Sequence, residues 1–136
     1  MQIRRFETDF AGKKLVIEHG RMAHQAGASL TVQMGETVVL ATATMSKGAN
    51  PNMDFFPLMV DYEERYFAGG RIKGSRYTKR EGRPSHKAVI TGRMIDRGIR
   101  PLFPKGLRNE VQVILMPLSI DYENPPDIVA LLAACA

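Results

Sequence analysis

Apolar and polar positions alternate through much of the first half of the chain. Leu30, Val32 and Met34 fall two residues apart, as do Leu58, Val60 and Tyr62, the period of strands that turn one face to a core. The run "TVVLATAT" at 37–44 is β-branched and nearly continuous, which predicts a strand covered on both faces. Turn signals separate these runs at "QAGA" (25–28), "MGE" (34–36) and "KGANPN" (47–52). Residues 2–66 therefore read as β-rich, built of antiparallel hairpins.

The period changes further on. A helix is predicted from about Pro84, because proline is tolerated in a first turn, with Ser85 or the preceding turn as its cap. Ala88, Ile90, Met94, Ile95 and Ile99 supply its apolar positions, and Pro101 and Pro104 end it. Residues 109–121 return to strand, and "PPDIVALLAACA" at 125–136 starts an apolar helix. Ala133 to Ala136 contain no glycine, proline or basic stop signal, so this helix is expected to be cut short. Hairpins, a loop, a helix, a strand and a helix, with no internal repeat, predict an α+β domain whose helices pack on a mixed sheet.

Composition sets the limits of that domain. A chain of 136 residues with 44% apolar content suits one domain with a real core. Its longest apolar runs, such as "VVLA" at 38–41, fall far short of the roughly 20 residues of a membrane span. "MQIRRFETDF" has no apolar stretch of the secretory kind, so the cytoplasm is the expected compartment. Cys135 is the only cysteine; it excludes an internal disulfide and reads as a small buried apolar residue rather than a nucleophile.

Charge changes the picture more. Arg71 to Arg108 hold 12 Lys+Arg against Glu81 and Asp96 alone, while the rest of the chain holds 7 basic and 12 acidic residues. An acidic body with one strongly basic segment points to a polyanionic partner for that segment, since a merely solvated face mixes both signs. Within it "FAGGRIKGSRYTKREGRPS" has four glycines and no apolar period, a long basic loop of the functional kind. Lys79, Arg80 and Arg83 sit in this loop, where planar guanidiniums can fork onto phosphate. Tyr77 offers either a stacking surface for a base or a local packing contact.

Arg93, Arg97 and Arg100 recur along one helical stripe with Asp96 among them. They are candidates for phosphate contact, or for pairing within the helix or between subunits. Other chemistry is sparse. His19, His24 and His86 lack metal-ligand spacing. Asp61 and Glu63 share a strand face with Glu64 beside them, an arrangement that can hold Mg²⁺ but on a sheet edge is ordinarily solvated. No phosphate-binding P-loop, zinc-protease or serine-hydrolase motif is present, and no catalytic or metal-ligating residue is assigned.

Four stretches, "FFPLMVDYEERYFAGGRIKGS", "KREGRPS", "RMIDRGIRPLFPKGLRNEVQVI" and "DYENPPDIVALLAACA", closely resemble the N-terminal RNase PH-like core of the bacterial polynucleotide phosphorylase family. "GRMAHQAGASLTVQMGETVVLATA" extends the likeness towards the start. The resemblance implies that residues 1–136 are the first RNase PH-like domain. A second core, a helical linker and KH and OB-type domains would lie outside them. It implies a homotrimeric ring that degrades single-stranded RNA, mRNA included, from the 3′ end by phosphorolysis. Inorganic phosphate is the co-substrate, Mg²⁺ assists, and catalysis is expected in the second core. Other RNA-degradation proteins are candidate partners, and no membrane is involved.

The family's RNA-gripping loop maps onto Tyr77, Thr78, Lys79 and Arg80, just before "EGRPS". Two aromatics usually precede its basic residues; here Thr78 holds the second aromatic position. Gly98 stands where the family usually has proline. A non-catalytic RNA-binding or scaffolding subunit of an exosome-type ring, and a domain binding free phosphate or a mononucleotide, are the alternative readings.

Overall fold

The computed structural model describes residues 3–49, 51–72, 74 and 82–136. The first hairpin joins β1 (Arg4–Phe10) to β2 (Lys13–His19) through Ala11 and Gly12. Both turn residues have positive φ, 51° and 76°, the type I′ geometry whose twist matches that of the flanking strands. β3 (Ala28–Met34) and β4 (Thr37–Ala49) form the next hairpin. β5 (Leu58–Tyr62), a 3₁₀ turn (Tyr66–Gly69), α1 (His86–Ile99), a second 3₁₀ turn (Arg100–Leu102), β6 (Asn109–Ser119) and α2 (Pro126–Cys135) follow.

The six strands lie in the order β1-β2-β3-β4-β6-β5. Every neighbouring pair is antiparallel except β5 with β6, which is parallel. The α+β expectation with a mixed sheet holds. The hairpin reading holds for β1 to β4 but not for β5, whose partner lies beyond α1 in a crossover connection.

Both helices lie on one side of the sheet. The pairs Val32·Val39 and Ala41·Leu115 turn the same way and are buried with Val129, Ala130 and Ile95. Among the described residues no helix lies on the other face. Val38, Leu40 and Thr42 stay half-exposed while Thr37, Val39 and Ala41 are buried, so "TVVLATAT" is fully covered on one face only. β-branched content alone could not reveal this, since both faces of a strand can be apolar. Where β4 meets β6 the register slips between Val38 and Val39, and buried Pro117 lies at the slip; a bulge is where a strand tolerates a residue without an N–H.

α1 starts two residues later than Pro84 suggested. Ser85 is its N-cap, its Oγ accepting from the Ala88 amide at 3.0 Å. The buried stripe is Ala88, Thr91, Gly92, Ile95 and Ile99, whereas Ile90 and Met94, expected in the core, are 56% and 40% exposed. Apolarity alone misled here: the inward face presents small residues because α1 runs close along β5. A Cβ on Gly92 would meet the Val60 carbonyl oxygen at 3.1 Å and the Tyr62 amide at 3.7 Å. Cys135, expected buried, is exposed at the last position of α2, off the buried stripe of Val129, Ala130 and Ala133.

The β3–β4 turn is fastened to the segment before α2 by one carboxylate. Asp121 accepts from the amides of Glu36, Glu123 and Asn124 at 2.8–2.9 Å and from Asn124 Nδ2 at 2.5 Å. Buried Thr37 has its Oγ1 3.0 Å from both Asp121 Oδ1 and the Asn124 carbonyl oxygen. These donors, the Asn124 amide foremost, hold the Asp121 carboxyl well below the usual carboxylate range.

A folded-state pKa below the unfolded one stabilises the protein above the unfolded value of about 3.9 and loses that contribution as pH falls through the folded one. Denaturant midpoints measured from pH 7 downward should therefore drop below about pH 4 in the parent. Asp121→Asn should start lower at pH 7 and show a shallower decline.

Candidate nucleic-acid interface

The basic segment leads into α1, and its arginines serve different ends. Arg93 and Arg97 project from the solvent side of α1; both are exposed, and among the described residues neither is paired. Arg83, three residues before the helix, is likewise exposed and unpaired among them. Tyr77, Lys79 and Arg80, with Thr78, lie outside the described residues.

Arg100 is not part of that group. Its Nε and one terminal nitrogen donate to the two Asp96 carboxylate oxygens at 3.0 and 2.7 Å. The guanidinium also donates to the carbonyls of Phe56 and Leu58 at 3.0 and 3.2 Å, and it sits 5.8 Å from the Phe56 ring centroid. With four of its five N–H donors spent on one carboxylate and two carbonyls, Arg100 clamps the end of α1 to the start of β5 and has no forked pair left to offer a phosphate. The i, i+4 spacing from Asp96 was the visible signal for this pairing; the carbonyls, more than 40 residues away, gave none.

A cleft of about 470 Å³ opens between the segment after β5 and the entry to α1. Glu63, Glu64, Arg65 and Tyr66 line one wall, and Gly82, Arg83, Pro84 and Ser85 the other. Arg83 therefore stands at its mouth beside the first turn of α1, whose free amides and dipole add to the positive potential. Sequence reasoning singled out Arg83 but not this opposing wall, which only the crossover from β5 brings near.

The carboxylates nearby do not form a metal centre. Glu63 is ion-paired with Arg65, and Asp61 accepts from Gln112 Nε2 at 3.2 Å. Among the described residues no three His, Cys, Asp or Glu side chains converge as a metal site would require. Tyr62, buried under α1, has its hydroxyl pushed well above the usual phenol range, first by burial and then by the Glu64 and Asp127 carboxylates; it stays neutral. No helix among the described residues is long and apolar enough to cross a membrane.

The sheet with both helices on one face is the arrangement of an RNase PH-type domain. Solved structures carry the same fold. A chain of the Archaeoglobus fulgidus exosome with RNA bound to the active site matches with a TM-score of 0.69 and 24% identity, over 91% of this chain and 50% of that one. An archaeal exosome core matches at 0.61 and 23%, over 91% and 47%.

In sequence, residues 11–136 match the family model described as the 3′ exoribonuclease family, domain 1, and the chain belongs to that family. Its curated relatives are polyribonucleotide nucleotidyltransferases. That of Heliobacterium modesticaldum is 56% identical over 132 residues, 96% of this chain, and that of Acidiphilium cryptum 53% identical over 132 residues, 97% of it. The chain spans 18% of the length of each.

Proposed function

We propose that the chain is the first core of a phosphorolytic 3′-to-5′ exoribonuclease of the polyribonucleotide nucleotidyltransferase type, and that it grips single-stranded RNA rather than cutting it. The reading rests on one observation: in a chain 56% identical to such an enzyme, Arg83, Arg93 and Arg97 are exposed and unpaired among the described residues, and Lys79 and Arg80 come shortly before them in the sequence. In the whole enzyme an oxygen of inorganic phosphate attacks the terminal phosphodiester phosphorus, the bond to the preceding 3′-oxygen breaks, and a nucleoside diphosphate leaves with the RNA one nucleotide shorter. Mg²⁺ and phosphate are held by the enzyme beyond this core, in a cytoplasmic homotrimeric ring.

Here the arginines hold successive phosphates and keep the strand threaded, a task that needs charge and no base readout. Binding of the chain to poly(A) and to poly(U), followed against salt, tests this. Four to six phosphate contacts predict a log–log slope of about −3 to −4, and Arg83→Ala should make it shallower by about 0.7 on either polymer. A slope near −1 would identify a mononucleotide or phosphate site instead and overturn the reading.

A further inference from the structure

The two edges of the sheet are treated differently. At the β5 edge the backbone groups facing away from β6 are covered: Arg100 donates to the Leu58 carbonyl, and Gly92 brings α1 against the Val60 carbonyl and the Tyr62 amide. Nothing among the described residues covers the β1 edge. All seven residues of β1 are exposed, and Phe6 and Phe10 on one of its faces are 60% and 42% exposed. In a two-residue I′ hairpin the closing pair, Phe10 with Lys13, exchanges its hydrogen bonds. Alternation then leaves the N–H and C=O groups of Arg5, Glu7 and Asp9 directed away from β2. Such an edge is a template for another strand.

We propose that a second copy of this chain docks there, β1 against β1 in antiparallel register about a two-fold axis. The sequence of β1, "RRFETDF", is self-complementary in that arrangement. Full overlap of the two strands sets Arg5 opposite Asp9 twice, Arg4 opposite Phe10 twice, Phe6 opposite Thr8, and Glu7 opposite its own copy. Asp9 has no ion-pair partner among the described residues, and the partner's Arg5 guanidinium, already beside Glu7 and Glu18 of its own copy, would bridge to it. Glu7 tolerates its twin because Lys14 and Arg5 already hold it at 2.6 and 2.7 Å. Parallel pairing would stack Arg5 on Arg5 and Asp9 on Asp9, so the charges select the antiparallel dimer. One added ladder is a small interface, and the association belongs to the weak, reversible class. The inference does not depend on the RNA reading.

Sedimentation velocity over rising concentration should show the chain moving from monomer towards dimer, and Asp9→Arg, which turns two cross-strand attractions into repulsions, should weaken dimerisation about tenfold. Register is read by cross-linking. At the axis the two Glu7 Cα atoms would lie about 5.5 Å apart, within disulfide reach, while the two Arg5 Cα atoms would be roughly 13 Å apart. In a Cys135→Ser background, Glu7→Cys should oxidise to a disulfide dimer and Arg5→Cys should not. A chain that stays monomeric at every concentration overturns the proposal, as does cross-linking through Arg5→Cys equal to that through Glu7→Cys.

Discussion

Gly35→Ala should be among the most damaging single-methyl substitutions in this chain, lowering the unfolding free energy by about 2–4 kcal/mol and the melting midpoint by roughly 10 °C. Gly35 has φ of 61°, a left-handed backbone that costs a side chain-bearing residue about 1–2 kcal/mol. The added Cβ would also collide with Asn124 Nδ2 and lie 2.7 Å from Asp121 Oδ2. Those two side chains cannot simply swing aside. Asp121 holds the Glu36 amide, and Asn124 accepts from Lys13 Nζ at 2.5 Å, so moving them unfastens the β3–β4 turn from the entry to α2. Gly48→Ala is the control, since a Cβ there meets nothing within 4 Å. Thermal unfolding of the two variants side by side decides the point; equal midpoints would show that the turn tolerates the methyl.

The second large effect separates arginines that share one helical stripe. Arg100→Ala should cost about 1–3 kcal/mol of stability, because the carbonyls of Phe56 and Leu58 lose their donor and Asp96 its partner. The ion pair itself is a minor part of this, as the Arg100 side chain is 41% exposed. RNA affinity and its salt slope should not move. Arg93→Ala with Arg97→Ala should do the reverse: stability within about 0.5 kcal/mol of the parent, and a salt slope shallower by about 1.4. Urea unfolding and homopolymer titration on the same three proteins give the comparison. A double variant that binds as its parent does would remove α1 from the interface and leave Arg83 with Lys79 and Arg80.

Why the three arginines looked equivalent is instructive. Spacing placed them on one stripe and placed Asp96 within reach of two of them, and spacing is all a helix reports about itself. Arg100 stands at the helix end, where the chain turns towards Phe56 and Phe103, whose rings pack 4.9 Å apart. Its partners come from residues more than 40 positions earlier. The same limit explains Ile90 and Met94. They fit an apolar period, yet the face that turned inward was the one with Gly92, because only a residue without a Cβ lets α1 approach the β5 edge so closely. Asp121 was placed in the strand over 109–121, but β6 ends at Ser119 and Asp121 instead turns the chain, its side chain bonding the backbone ahead of it at Glu123 and Asn124. Its bonds to Glu36 and Thr37, more than 80 residues away, were not legible in the sequence either.

By itself the sequence determined the element types, the hairpins of β1 to β4, the α+β class, the concentration of positive charge before and within α1, and a family likeness that the comparisons bear out. These follow from local period, turn chemistry and composition, which act between residues near in the chain. Only the tertiary structure decided which face of the sheet the helices cover, that β5 runs parallel to β6, that Arg100 is a clamp while Arg93 and Arg97 face solvent, and that α1 covers one sheet edge while nothing among the described residues covers the other. Each depends on where distant segments meet, and burial and hydrogen bonding assign a side chain its role only after that meeting is fixed.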